Sequence, residues 1–295
     1  MNQPQNGSRP SLPRNAVRTV QRVALQSDGS TQQGEDRIAV EEPLEIRIQG
    51  SPYAVLLRTP GDERELVAGF LASEGILGSA EDLAAISPCP VNGDGAAGDP
   101  SGNYWNVALA EGVSFEQERR KSSTVGSTCG LCGVRSIDEI EDALPHPSHQ
   151  VGELAADFFQ LAEQRVSEHQ QIRDQTSGVH AAALIHPGSG DLIALAEDVG
   201  RHNAVDKILG AQLLADEYPL ETEAVLWVSG RISFEIVQKA AFAGVAVVVG
   251  LGAPTSLAVA AANRAEVSLF GIARQTRVNR YCGDTQWSGA TKRDA

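Results

Sequence analysis

From residue 178 onward the chain alternates short apolar strands with helices, and that alternation restricts its fold more than any other feature. GVHAAALIHPGSGDLIALAED reads as two strands joined at the turn signal P-G-S-G-D. RHNAVDKILGAQLLADE then reads as an amphipathic helix, AVLWVSG as a buried strand and SFEIVQKAAFAG as a second helix. VAVVVG, PTSLAVAAANR and VSLFGIAR continue as strand, helix and strand. This β-α-β-α-β order calls for parallel strands covered by helices, because parallel neighbours need a crossover that packs back onto the sheet.

The first half follows a different pattern. Between about Val17 and Leu57, the stretches RTVQRVAL, RIAV, LEIRIQG and YAVLLRT predict strands of one antiparallel sheet. GDERELVAGFLASEGIL predicts a helix, with Leu66, Val67, Phe70 and Leu71 at helical spacing and acids near its start. A Gly-, Asp- and Pro-rich loop over 88–103 precedes the strand YWNVAL. Further on, SIDEIEDAL predicts a short helix and residues 151–168 a longer one. The expected organisation is a disordered tail (1–17), a β-rich α+β part (18–120), a mobile loop (121–135), an α/β part (136–282) and a frayed tail (283–295).

Charge narrows the function. Lys and Arg number 24 against 38 Asp and Glu, a formal net charge of −14. A general nucleic-acid or membrane-surface binder needs the opposite balance, so neither is expected as a partner. No apolar run reaches the roughly 18 residues that would span a bilayer. The opening MNQPQNGSRPSLPRNAVR lacks an apolar signal core, which predicts a cytoplasmic protein. Four cysteines are too few for a disulfide scaffold, and that compartment would keep them reduced.

Two of the four stand in STCGLCGV, as Cys129 and Cys132. A structural zinc site usually needs two such pairs, and Cys89 and Cys282 are isolated. A nucleobase deaminase needs an H-x-E upstream of its C-x-x-C, yet the first histidine of the chain is His146. A thioredoxin-like pair opens a helix after a strand, whereas this one lies in a Gly/Ser/Thr-rich loop after ERRKSST. Close to Arg119, Arg120 and Lys121, a thiol there should ionise more readily than a free one of pKa about 8.5. On spacing alone, metal, redox, nucleophile and no function all stay open.

Three further segments suit an anionic ligand. EDVGRHNAVDKILG (197–210) packs Glu197, Asp198, Arg201, His202, Asn203, Asp206 and Lys207 around Gly200 just before a helix; Gly200 would let the backbone turn, and Asp198 or Asn203 could cap the helix. It is either a capped helix with solvated charges or a ligand pocket, with His180 close to the same kind of junction. WVSGRISFE (227–235) offers Ser229, Arg231 and Ser233 at a helix start, suited to a phosphate but without P-loop spacing, and GAPTSLAV repeats the logic with Thr255 and Ser256, where plain N-capping is the alternative. In IARQTRVNR, Arg274, Arg277 and Arg280 follow the last strand and could clamp a polyphosphate or pterin-type anion, or be surface charges.

Together these segments resemble the FdhD family of sulfurtransferase accessory proteins of formate dehydrogenase. CGLCG (129–133), HAAAL (180–184), EDVGRHNAVDKILG (197–210), SGRISFEIVQKAAFAGV (229–245) and TSLAVAAA (255–262) carry the likeness, with weaker matches in EEPLEIRIQG and LVAGFLASEGIL, over about residues 18–281. The resemblance implies an α/β fold, a three-layer cytidine-deaminase-like sandwich with a smaller second α+β domain, assembled as a homodimer. It implies a sulfur carrier that accepts persulfide sulfur from a cysteine desulfurase and passes it to the molybdenum (or tungsten) bis(molybdopterin guanine dinucleotide) cofactor before insertion into formate dehydrogenase. Cys129 matches the persulfide position and Cys132 its relay or resolving partner; no metal ligand is implied. Ile272, Ala273, Arg274, Gln275, Thr276 and Arg277 match the cofactor-binding segment, with Ser229, Arg231 and His202 expected to contribute. A non-catalytic cofactor chaperone and a structural zinc protein are the competing functions.

Overall fold

The computed structural model describes residues 13, 15–89, 102–113, 144–274 and 277–287. The cysteine loop with Cys129 and Cys132, the helix expected over SIDEIEDAL, and Gln275 and Thr276 fall wholly or almost wholly outside the described residues. In the first half, β1 (Val17–Leu25) and β2 (Thr31–Ala39) form a separate antiparallel ribbon. A four-stranded sheet follows, in the order β4-β3-β6-β5, from β3 (Glu42–Ile48), β4 (Ser51–Arg58), β5 (Leu83–Pro88) and β6 (Tyr104–Leu109). The single antiparallel sheet expected over 17–57 is therefore corrected: β3 pairs β4 antiparallel on one side and β6 in parallel on the other. The physical reason is β3 itself, whose buried Leu44, Ile46 and Ile48 need apolar neighbours that the polar ribbon lacks and that Val107 and Leu109 supply. LAAISP of β5 carries too little alternation to be read as a strand from sequence.

Helix α1 (Glu63–Ser73) leads away from β4. Helix α2 (Phe158–His169) starts seven residues later than the pattern over 151–168 predicts, because Val151 and Leu154 are buried in an extended segment. That segment is held by a bridge to Gln286, with Leu154 N donating to Gln286 O and Gln286 N donating to Gly152 O. The same contacts correct the tail expected from residue 283: Thr285 is buried and donates through Oγ1 to Val151 O at 2.7 Å. Trp287 donates through Nε1 to Ala156 O.

After the short α3 (Gln171–Thr176), the remaining elements build a six-stranded sheet. Its strands are β7 (His180–Ile185), β8 (Leu192–Asp198), β9 (Val225–Val228), β10 (Val247–Gly250), β11 (Ser268–Arg274) and β12 (Arg277–Cys282), in the order β12-β11-β10-β9-β7-β8. β9, β10 and β11 are parallel, joined by α5 (Phe234–Phe242) and α6 (Ser256–Arg264) as the alternation predicts. The period of two divides the side chains cleanly. Ala182, Leu184, Leu226, Val228, Val248 and Leu269 face one core, with α1, α4 (Arg201–Leu214), α5 and α6. Ala183, Ile185, Val225, Trp227, Val249 and Phe270 face the other, with α2. Helices thus cover both faces of the sheet.

α4 departs from its expected amphipathic placement. Residues Asn203–Gly210 are all buried, because α4 lies between the sheet and α1. Its internal charges survive there by pairing: Lys207 Nζ sits 2.9 Å from Asp198 Oδ2, and Lys239 Nζ 2.8 Å from Asp206 Oδ1.

Candidate functional site

The register brings one end of every strand in the six-stranded sheet to a common edge, β12 by its first residue, Arg277, opposite Arg274 of β11. His180 opens β7 opposite Asp198, the last residue of β8. β7 runs antiparallel to β9, so this end also holds the carboxyl ends of β9 and β10, where Ser229 N donates to Ala181 O. In open α/β sheets ligands bind outside such ends. Next along the edge, Gly252 N donates to Gly230 O and Gly252 O accepts from Ile272 N at 3.1 Å. Three segments singled out from sequence, 197–210, 229–233 and 272–274, are thus brought together.

A cleft of about 190 Å³ opens at this edge, lined by Glu41, Leu57, His180, Val199, Gly200, Arg201 and His202. Glu41 and Leu57 come from the first half of the chain and were not anticipated; nothing in their local pattern distinguishes them from other strand-end residues. Of the charged residues in 197–210, Arg201 and His202 reach the cleft. The others are internal. Glu197 accepts three backbone N–H bonds from Gln171, Ile172 and Arg173 at 2.8–2.9 Å. Asp198 accepts from Thr59 N, Gly200 N and Asn203 Nδ2, so neither Asp198 nor Asn203 caps α4 in the way expected. Gly200 has φ −94°, within reach of any residue; its lack of a side chain matters because a Cβ would stand 2.9 Å from Asn203 Nδ2.

The serines expected to hold phosphate are engaged with histidines. Ser229 Oγ accepts from Ala181 N at 3.0 Å and lies 3.2 Å from His180 Nδ1. Ser233 Oγ lies 3.0 Å from His202 Nε2. Thr255 takes its bland reading: its side chain accepts from Ala258 N and caps α6. Thr255→Ala should therefore cost about 1 kcal/mol in urea unfolding.

Cations remain for an anion. Arg231 is exposed, while Arg201 is half-buried and its Nε has no hydrogen-bond partner among the described residues. Burial, then the neighbouring Arg231, hold the Arg201 guanidinium below its ordinary pKa. Arg274 and Arg277 are exposed and paired with one another, the last residue of β11 against the first of β12. Arg280 is drawn away, donating to Thr285 O at 3.0 Å. Within the 272–277 segment, Ala273 packs into the core, and Ile272 sits at φ 51°, a left-handed conformation unusual for a β-branched residue. No cluster of three or more His, Cys, Asp or Glu that could hold a metal occurs among the described residues. Nor is any helix of the described residues long and apolar enough to cross a membrane.

Burial pushes the His202 imidazole down to about 3, helped by Arg201, Lys239 and His180. A depressed folded pKa gives stability that is complete above the ordinary value of about 6.5 and lost progressively as pH falls toward the folded value. Between pH 7 and pH 5, His202 alone should remove about 2 kcal/mol, at about 1.4 kcal/mol per unit below 6.5. Urea titrations at pH 7, 6 and 5 check this, and His202→Gln should flatten the slope by that amount.

The chain matches the FdhD/NarQ family model over residues 39–287. It is 42% identical over 264 residues to the sulfur carrier protein FdhD of Streptomyces avermitilis, covering 87% of this chain and 91% of that protein. The sulfur carrier protein FdhD of Anaeromyxobacter dehalogenans is 40% identical over 282 residues, covering 92% and 94%. The fold is shared with a crystal structure described as a candidate formate dehydrogenase accessory protein from Desulfotalea psychrophila. The TM-score is 0.68 at 24% identity, over 90% of this chain and 96% of that one.

Proposed function

The chain belongs to the FdhD/NarQ family, and from that membership we propose that it carries sulfur for the maturation of formate dehydrogenase. Cys129 is the carrier. Its thiolate attacks the outer sulfur of a cysteine desulfurase persulfide, forming Cys129–S–SH and releasing the desulfurase thiolate, an exchange that needs no external oxidant or reductant. Cys132 accepts the sulfur in relay, or attacks the persulfide to form a disulfide and release sulfide. The acceptor is the molybdenum bis(molybdopterin guanine dinucleotide) cofactor, bound as cargo. The same reading includes the cytidine-deaminase-like sandwich, a cytoplasmic location and a homodimer.

The observation that supports the cargo best is the collection of arginines at one sheet edge. Arg201, Arg231, Arg274 and Arg277 gather there in a chain of net charge −14. Arg201 also keeps a buried Nε without a partner among the described residues. A ligand with two guanine nucleotides and four phosphates is what such an edge would hold, by guanidinium–phosphate pairing and by the N–H groups of the helix starts.

The test is mass spectrometry without reductant after incubation with a cysteine desulfurase and cysteine. A thiol-labile increment of one sulfur on the Cys129 peptide is expected. An unmodified peptide beside a competent desulfurase would move the assignment to a cofactor chaperone that carries no sulfur.

A further inference from the structure

One buried chain of polar groups ends in the cleft without an explanation in the sulfur-carrier reading. It starts at Ser73, whose Oγ donates to Asp206 Oδ1 at 2.8 Å. Asp206 accepts from Lys239 Nζ at 2.8 and 3.0 Å, and Lys239 lies 3.8 Å from Glu235 Oε1. Glu235 Oε2 lies 3.2 Å from His202 Nε2, and His202 lines the cleft. Asp206 and Lys239 are almost completely buried, and the side chains of His202 and Glu235 retain only 15% and 17% of their exposure. Four ionisable groups are held out of water in sequence, an arrangement too costly to be incidental packing.

Nε2 is hydrogen-bonded to Ser233 Oγ at 3.0 Å, and the Glu235 carboxylate 3.2 Å away, whose ionised form can only accept, favours the proton on that nitrogen. Lys239, buried between Asp206 and Glu235, keeps its charge: burial alone would lower its pKa, but the carboxylates outweigh that and raise it. At Glu235 burial raises the carboxyl pKa, and the Lys239 charge opposes that rise without cancelling it. With the proton on Nε2, Nδ1 is a bare acceptor, and it has no partner among the described residues. Burial keeps the ring neutral, down to about 3, so it does not switch between pH 5 and 8.

We propose that Glu235 is a positioning residue that holds His202 in the Nε2–H tautomer, leaving Nδ1 as a hydrogen-bond acceptor in the cleft. Beside Arg201, that acceptor selects ligands that carry an N–H donor next to an anionic group, as a purine or pterin nucleotide does. The ligand class rests on the proposed cargo; the tautomer does not. Ser233 then shares the Nε2 proton as an acceptor at 3.0 Å, free to donate its own hydroxyl proton elsewhere.

Imidazole nitrogen NMR of the full chain with labelled histidine tests this, with His202→Gln used to assign the signal. The expected spectrum shows His202 neutral, protonated at Nε2 and unchanged from pH 7.5 to 5.5. Glu235→Gln should populate both tautomers, since its amide can donate as well as accept, while circular dichroism stays native. Guanosine 5′-diphosphate, which joins ring N–H donors to a diphosphate, should shift the Nδ1 signal of the wild type and bind several-fold more weakly to Glu235→Gln. A wild-type His202 protonated at Nδ1 would overturn the positioning role even if no variant folded. An unshifted Nδ1 signal at millimolar nucleotide would overturn the ligand class. Neither result depends on Cys129, so failure here is separable from failure of the sulfur transfer.

Discussion

Cys129→Ala is expected to reduce formate dehydrogenase maturation to background, the largest functional effect of any single substitution in this chain. In the proposed transfer the thiolate is the atom that receives sulfur, and no hydroxyl or backbone group can stand in as a sulfur carrier. Even Cys129→Ser should fail, since an alkoxide at neutral pH is scarce and an O–S bond does not hold sulfane sulfur. Cys132→Ala separates the two roles of the second thiol. If Cys132 relays sulfur, its loss should also approach background; if it only discharges stray persulfide as sulfide, maturation should persist and the Cys129 adduct should accumulate. The measurement is formate oxidation in cells lacking the endogenous carrier and supplied with each variant. Normal activity with Cys129→Ala would eliminate the carrier function and leave the arginine-lined edge as a cofactor-holding surface.

The family and the strand–helix alternation of this protein are more legible in its sequence than the geometry of the cleft. Period-two apolar runs such as VAVVVG and period-3.6 helices such as SLAVAAANR mark β10 and α6 because both are buried against a sheet whose layers repeat those periods. α4 was placed correctly but its surroundings were not. Asp206 and Lys207 look like solvated charges in the local pattern, and their partners Lys239 and Asp198 are positioned only by the crossover of the chain. Ser229 and Ser233 likewise suggested a phosphate loop, whereas the fold sets a histidine against each. Leu57 reaches the cleft from another sheet and Glu41 from the link just before β3, a long-range juxtaposition that no window of sequence contains. The tail at 283–287 looked frayed because Gly283, Asp284 and Gln286 are polar or small. What anchors it is one buried hydroxyl, Thr285, and one indole.

Gly210→Ala provides the largest structural effect, and its sign is informative. In a helix interior, alanine is favoured over glycine by about 1 kcal/mol, so propensity alone predicts a more stable protein. The contact between α1 and α4 predicts the reverse. A Cβ on Gly210 would stand 1.9 Å from Glu65 O and 2.6 Å from Gly69 N, and one on Gly69 would stand 1.9 Å from Asp206 O. These obstacles are backbone atoms, so no side chain can rotate away and the helices themselves must part. Parting them would pull Leu66 and Leu71 of α1 out of the core they share with Val205, Ile208 and Leu209 of α4. It would also stretch the Ser73–Asp206 bond that starts the buried chain leading to His202. Overpacking typically costs about 1–3 kcal/mol where side chains can adjust. Backbone against backbone it should exceed about 4 kcal/mol, a large share of the roughly 5–15 kcal/mol that holds a typical domain together. Urea unfolding of soluble Gly210→Ala, or its failure to accumulate in soluble form, reads the result. A variant as stable as the wild type would mean that α1 and α4 are not in contact at these two glycines, and that the chain of polar groups behind His202 is not anchored there.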